Sequence, residues 1–309
     1  MRAHQLESHL RSLKLFGMLE TLEVRLSQAS AGELGYVELI EVLCADETTR
    51  RDAAGLERRL RAAHFEQAAT IEDFDFTYNP AIPAATIRDL ATLRFLEAGE
   101  SLILHGPVGV GKSMIAQALG HAACRRGHTA VFTKTSRLLA DLAGGHADHS
   151  FSARLRRWAK PALVVFDDFA MRDFTLAQAD DLYELITDRA GKSNIFTANR
   201  SAQDWYTLFP NPVVAESILD RVVNGAHHIH MPGRSYRPNR RPGSRRVHAS
   251  CRTRKAGHHP RSRSQIARLA ALRRRTPNHR RCRLPVTCPG PRTENTEPIS
   301  PRPHPRTTR

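Results

Sequence analysis

The chain has 309 residues, and its 47 Lys and Arg against 31 Asp and Glu give a formal net charge of +16. No apolar run approaches the roughly 18 residues that cross a bilayer, and the opening MRAHQLESHLRSLKLFG is broken by charges and lacks a signal-peptide core. Membrane-spanning, secreted, collagen-like and disulfide-scaffold classes are excluded, and with Cys44 and Cys124 the only cysteines before residue 235 a reducing cytoplasm is the default.

Residues 1–68 read as a small all-α domain. Leu6, Leu10, Leu13, Phe16, Leu19, Leu22 and Leu26 recur at helical spacing, and a second stretch runs through Tyr36, Leu39, Ile40, Leu43, Leu56 and Leu60. The arginines between them, Arg50, Arg51, Arg58, Arg59 and Arg61, fit a solvated helix face, or else a contact with DNA or a partner chain. Residues 69–83, ATIEDFDFTYNPAIP, mix aromatics with Asn-Pro and a second Pro, which predicts an extended connector.

After the connector, β and helical patterns alternate. Short apolar runs at 101–105, 129–133, 163–167, 194–198 and 227–231 are separated by helical stretches, the pattern of a parallel sheet covered on both faces. Thr175 with Gln178 has the form of a capping box ahead of Leu182, Leu185 and Ile186, and Gly191 closes that helix.

The sharpest chemistry lies behind the first run. Gly106, Pro107, Val108, Gly109, Val110, Gly111, Lys112 and Ser113 fit GxxxxGK[ST] between a strand and a helix. Glycines let such a loop curl so that backbone N–H groups face phosphate oxygens, while the next helix offers its positive end to the same anion. Lys112 then reaches the outer phosphates and Ser113 ligates Mg²⁺. A second Mg²⁺ contact has to come from an acid at the end of a buried strand, and Leu163-Val164-Val165-Phe166-Asp167-Asp168 supplies two. Asp167 is expected on the metal side, and Asp168 is expected to orient or deprotonate the attacking water.

The next buried run ends in Asn199, whose amide can hold that water or a phosphate oxygen, or simply cap its loop. Arg221, in Ser217-Ile218-Leu219-Asp220-Arg221, is either half of a surface ion pair or a finger reaching the nucleotide of an adjacent subunit. A metabolite kinase is a competing reading, but the stretch between Asp168 and Asn199 offers no lid or acceptor pocket.

The far end has a different character. Residues 235–309 hold 21 basic side chains with Glu294 and Glu297 as the only acids, which leaves 26 basic against 29 acidic residues ahead of them. The same end carries 11 of the 18 prolines and a single aromatic, Tyr236. It cannot bury enough apolar area to offset chain entropy, so residues 241–309 are expected as a disordered Arg/Pro-rich tail. The tail gives salt-sensitive, sequence-blind DNA affinity in one reading and is a frameshifted or read-through extension in the other. Cys251, Cys282 and Cys288 lack zinc-site spacing.

The order GPVGVGKS, LVVFDDF, IFTANR, DWYTLFP, SILDRVVNGAH and GRSYR resembles the IstB-type ATPases, helper proteins of insertion-sequence transposition close to DnaC-type helicase loaders within the AAA+ group. The resemblance implies an α/β AAA+ P-loop NTPase fold of five parallel strands over residues 69–240. It makes Lys112 and Ser113 Walker A, Asp167 and Asp168 Walker B, Asn199 sensor 1, Arg221 the arginine finger and Arg237 a sensor-2 candidate. It further implies ATP and Mg²⁺ as cofactors, hydrolysis coupled to homo-oligomerisation on duplex DNA, and a transposase partner. A replicative helicase loader is the alternative. Relatives also suggest that Lys134, Arg137, Arg154, Arg156, Arg157 and Lys160 line a DNA channel, against the plainer reading of a solvated face.

Overall fold

Three helices open the chain: α1 (Arg2–Ser12), α2 (Phe16–Ser30) and α3 (Tyr36–Ala63). The computed structural model describes residues 2–237, with side chains from residue 5, so the basic tail expected at 241–309 lies outside the described residues. Helices α2 and α3 cross closely where Gly17 meets Glu47: a Cβ on Gly17 would lie 2.7 Å from the Glu47 Cα. The Gly17 N–H and the guanidinium groups of Arg50 and Arg51 bind the Glu47 carboxylate. Arg59 donates to the Cys124 carbonyl and Arg61 pairs with Glu57, so four of the five arginines have partners within the chain.

The helical period was legible, but its apolar stripe is not covered as a core would be. Of the seven apolar residues from Leu6 to Leu26 only Leu10 and Leu22 are buried, and Tyr36, Val37 and Ile40 face solvent. The second half of α3 differs: Leu56, Leu60 and Ala63 pack against the core of the following module.

Residues 64–83, including the stretch expected to be extended, form a chain of turns. The reason is its apolar content. Ala69, Ile71 and Ile82 are buried in the main core, with Phe74 and Phe76 packed beside them, so the connector is folded onto the module rather than spanning a gap. Two short helices follow, α4 (Ala84–Leu90) and α5 (Arg94–Glu97).

Five parallel strands then form one sheet: β1 (Ser101–His105), β2 (Ala130–Lys134), β3 (Leu163–Asp167), β4 (Ser193–Ala198) and β5 (Ala226–His230), in the order β2-β3-β4-β1-β5. The bounds of β1 and β3 are those of the apolar runs, and the other strands are offset by one residue at one end or both. Burial on both faces explains the continuous runs. Leu102, Leu104, Leu163, Val165 and Ile195 enter one core, and Ile103, Val164, Phe166 and Phe196 enter the other.

The first core is covered by α6 (Lys112–Arg125), through Ile115 and Leu119, and by the connector. The second is covered by α7 (Thr135–Ala147), α8 (Phe151–Ala159), α9 (Leu176–Asp188) and α10 (Pro212–Val223). The capping box is present at the start of α9, where the Thr175 Oγ1 accepts from the Gln178 N–H and the Gln178 side chain accepts from the Thr175 N–H. This winding places the C-terminal ends of β1, β3 and β4 side by side, and ligands bind at that edge of such sheets.

Candidate functional site

The loop between β1 and α6 is shaped by its glycines. Gly111, immediately before α6, holds φ at +107°, and a Cβ there would lie 2.4 Å from Cε2 of Phe74. Only glycine combines that backbone with so close a neighbour. The loop thereby turns directly into the N-terminus of a 14-residue helix, the positive end of its dipole.

Lys112 is buried, and its ammonium donates to the carbonyls of Gly106 and Pro107, both at 2.8 Å, and to Oδ1 of Asn199 at 2.9 Å. Burial holds its pKa below the usual lysine range, Asp168 and Asp167 pull it back up, and the charge of Arg237 pushes it further down. The loop, the Asn199 amide and both acids therefore act on one ammonium group.

At the end of β3 the two acids part company. Asp167 is 4 % exposed, and its Oδ1 accepts a 2.6 Å hydrogen bond from the Thr197 hydroxyl, the only partner of that carboxylate among the described residues. The same hydroxyl accepts from the Asp168 N–H at 3.1 Å. Asp168 takes a left-handed conformation, with φ of 54°, and its carboxylate opens to the cavity. Next to it, Phe169 is buried against Trp205, with ring centroids 4.7 Å apart, and against Phe196. The aromatic contact anchors the turn, giving Trp205 of the DWYTLFP motif a physical role. Burial and the negative charge of Asp167 raise the pKa of Asp168.

The cavity measures about 370 Å³. The loop from Val108 to Ser113 forms one side, and Asp168, Asn199 and Arg237 form another. Connector residues Phe74, Asp75 and Tyr78 close the third, a contribution that sequence reasoning missed although the aromatic run around Asn79-Pro80 was noted. Thr197 was missed too. Met171 accepts from the Asn199 Nδ2 at 3.0 Å, so that amide is held at both ends. Gly106 and Pro107 stay outside the lining and act through their carbonyls.

Arg221 is not part of this cavity. It is exposed on α10, donates to the Ser217 carbonyl and lies 5.2 Å from the centroid of the Tyr183 ring. It does not pair with Asp220, which accepts from Asn224 instead.

The donor set suits a hard divalent cation, which takes oxygen ligands. Asp167 offers a nearly buried carboxylate with one oxygen left without a protein donor, and the Ser113 hydroxyl has no partner among the described residues.

A parallel sheet in this order, with a glycine-rich phosphate loop after β1, paired acids after β3 and an amide after β4, defines an ATP-binding P-loop module of the AAA+ type. The sequence profile of the IstB-like ATP binding proteins matches residues 8–244, and the chain belongs to that family. It is 60% identical over 240 residues to Rv3427c of Mycobacterium tuberculosis, named as an ATP-binding protein in an insertion sequence, covering 77% of this chain and 96% of that one. It is 33% identical over 235 residues to the ATP-binding protein of insertion sequence IS21 from Pseudomonas aeruginosa, covering 76% and 89%. Among solved structures it is similar to DnaI at 20% identity and a TM-score of 0.47, covering 53% of this chain and 90% of that one. No helix among the described residues is long and apolar enough to cross a membrane.

Proposed function

We propose that the protein hydrolyses Mg²⁺-ATP while assembled on duplex DNA, as the cytoplasmic helper of a transposase. The observation that carries this reading is the ammonium of Lys112, held between the phosphate loop and Asn199 at the mouth of a cavity that also contains Asp168 and Arg237. Residues 1–68 then serve as the attachment domain and residues 69–240 as the motor.

In this mechanism the phosphates lie along the N–H groups of residues 108–113, with Lys112 and Arg237 countering their charge. Ser113 and Asp167 would hold Mg²⁺, which would supply positive charge against the outer phosphates. Asn199 orients a water, and Asp168 accepts its proton as the oxygen attacks the terminal phosphorus and the bond to the leaving diphosphate breaks. A raised pKa makes Asp168 a better base than an ordinary aspartate.

Asp168→Asn is expected to keep ATP affinity while lowering kcat about a hundredfold or more, the usual contribution of a positioned base. In the unvaried chain the acid limb of kcat/KM, which reports the free enzyme, should lie above the ordinary aspartate range, since only the carboxylate accepts a proton. The stability sign is opposite. A carboxyl whose folded pKa is raised contributes stability below the unfolded value and loses it as pH rises through the folded value, so Asp168→Asn should melt no lower than the parent at neutral pH. A variant that hydrolyses ATP normally removes Asp168 from the mechanism.

Arg221 lies outside its own subunit's cavity on an exposed helix face, a placement suited to acting on a neighbour. Arg221→Ala and Lys112→Ala are each expected to lose more than about 90% of ATPase activity, the range of a finger contact. Mixed, they should regain part of it, because the intact phosphate loop of one meets the intact arginine of the other. Absence of any recovery in mixtures that assemble on DNA argues against a shared site.

For DNA, Arg137, Arg156 and Lys160 have no acidic partner among the described residues, whereas Arg154 and Arg157 are tied to Asp141. Unpaired cations around α7 and α8 suit phosphate contacts, which weaken linearly in log salt. The names of the relatives, which place them in insertion sequences, support a transposase as partner. The direct experiment is ATP hydrolysis by the full chain with and without duplex DNA. Stimulation by duplex is expected, and indifference to DNA rejects the coupling.

A further inference from the structure

Residues 231–237 leave β5 and run back beside the phosphate loop, where they are fastened from two sides. On the loop side the Tyr236 N–H donates to the Gly109 carbonyl at 2.8 Å. On the connector side Asn79 spends its whole carboxamide on one residue. Its Nδ2 donates to the Arg234 carbonyl at 2.9 Å, and its Oδ1 accepts from the Arg234 N–H at 3.1 Å. Those partners, one carbonyl and one N–H, fix which way round the amide sits.

Two further contacts make this a clasp. The Tyr78 hydroxyl donates to the Ser235 carbonyl at 3.1 Å, and its ring meets that of Tyr236 edge-on with centroids 4.9 Å apart. Gly233 has φ of +116°, and a Cβ there would lie 2.4 Å from the Asn79 Oδ1. Position 233 therefore excludes a side chain so that Asn79 can approach the backbone. Asn79 itself is buried, so its amide depends on the strap rather than on water.

Arg237 follows one residue after Tyr236 and lines the cavity that contains Lys112 and Asp168. An arginine held in place before its anion arrives loses less side-chain and backbone freedom on binding, and that saving becomes affinity. We propose that Asn79 is the positioning residue of Arg237: the connector, by clasping residues 233–236, holds the guanidinium at the triphosphate end of the cavity and links the helical front of the chain to nucleotide binding. This rests on the reading of the cavity as an ATP site.

The test is a double-mutant cycle on the full chain, reading equilibrium affinity for fluorescent N-methylanthraniloyl-ATP with Mg²⁺. Asn79→Ala and Arg237→Ala should each weaken binding about tenfold, or ~1.4 kcal/mol. The double variant should bind no more weakly than either single one. Gly233→Ala, which breaks the clasp from the opposite side, should match Asn79→Ala. Parent-like affinity of Asn79→Ala, or losses that multiply in the double variant, overturns the proposal. Failure of the underlying ATP reading looks different: the parent does not bind the probe, or Lys112→Ala binds it equally well. Should Asn79→Ala not fold, Tyr78→Phe decides. It removes one hydroxyl, should cost about threefold, or ~0.6 kcal/mol, and should cost nothing in the Arg237→Ala background; a full threefold cost in that background overturns the proposal.

Discussion

Lys112→Ala is expected to weaken ATP binding by at least about a hundredfold while leaving the fold intact. The side chain stands to make two or more charge-assisted hydrogen bonds to phosphate, each worth ~1.5–3 kcal/mol, and every 1.4 kcal/mol is about tenfold in affinity. Loss of the ammonium also unties Asn199, whose Oδ1 accepts from Lys112, so the amide proposed to orient the water loses its anchor at the same time. Stability should respond weakly, because two terms oppose each other. The carbonyls of Gly106 and Pro107 lose a donor, which destabilises. Burial lowers the Lys112 pKa, so its charge is harder to hold in the folded chain than in the unfolded one below the unfolded pKa, and removing it stabilises. A melting point within about 4 °C of the parent, or ~1 kcal/mol, is the expected balance. Calorimetric titration with ATP and a thermal scan decide it: parent-like affinity would falsify the nucleotide reading at its root.

How much of this was legible beforehand depended on whether a signal was local. The phosphate loop is eight consecutive residues between a strand and a helix, and local sterics dictate its glycines, so it could be read directly. Strands β1 and β3 were bounded correctly because both faces are buried and the apolar run ends where burial ends. Asp167 and Asp168 were visible as a pair with separate expected roles, but the contacts that set them apart were not. Those come from Thr197 on a neighbouring strand and from the aromatic contact that fixes the turn at Asp168. The connector failed for the same reason: its Asn-Pro and aromatics suggested an extended link, while its fold depends on a core built by later elements and on a strap far along the chain, with Asn79 and Arg234 at a separation of 155. For the N-terminal helices the period identified the elements correctly, yet period alone does not say whether the apolar face finds cover.

Arg189 is the strongest case of a residue that sequence cannot price, and Arg189→Met is expected to cost ~3–5 kcal/mol of stability, from acceptors left without a donor at ~1–3 kcal/mol each, less what the buried charge costs the folded chain. In sequence it is an ordinary basic residue at the end of a helix. In the structure it is 1 % exposed and has no carboxylate partner among the described residues. Its guanidinium donates instead to Oδ1 of Asn194 at 2.6 Å and to the carbonyls of Trp158, Ala159, Pro161 and Ser193. Two of those carbonyls belong to the last turn of α8, where the helix dipole is negative, so a buried cation is balanced by backbone carbonyls and one side-chain amide. Burial lowers its pKa to about 10, still far enough above neutrality for the charge to persist. Methionine fills much of the volume but removes the guanidinium donor from five acceptors; the Ala159 carbonyl keeps the Lys192 ammonium, and each of the other four costs ~1–3 kcal/mol where water cannot reach it. Arg189→Lys keeps the charge but not the planar fork, so it should recover less than half of the loss. Guanidinium unfolding at neutral pH is the measurement, with a lower midpoint at an unchanged slope as the signature of lost stability. The helix end, the entry to β3 and the start of β4 meet at this one side chain, while Asp167 and Asn199 lie at the far ends of those strands. ATP affinity measured well below the melting point should therefore stay near the parent value. A stability loss under ~1 kcal/mol would mean that the carbonyls are satisfied in another way and that the guanidinium is not the tie between α8 and the sheet.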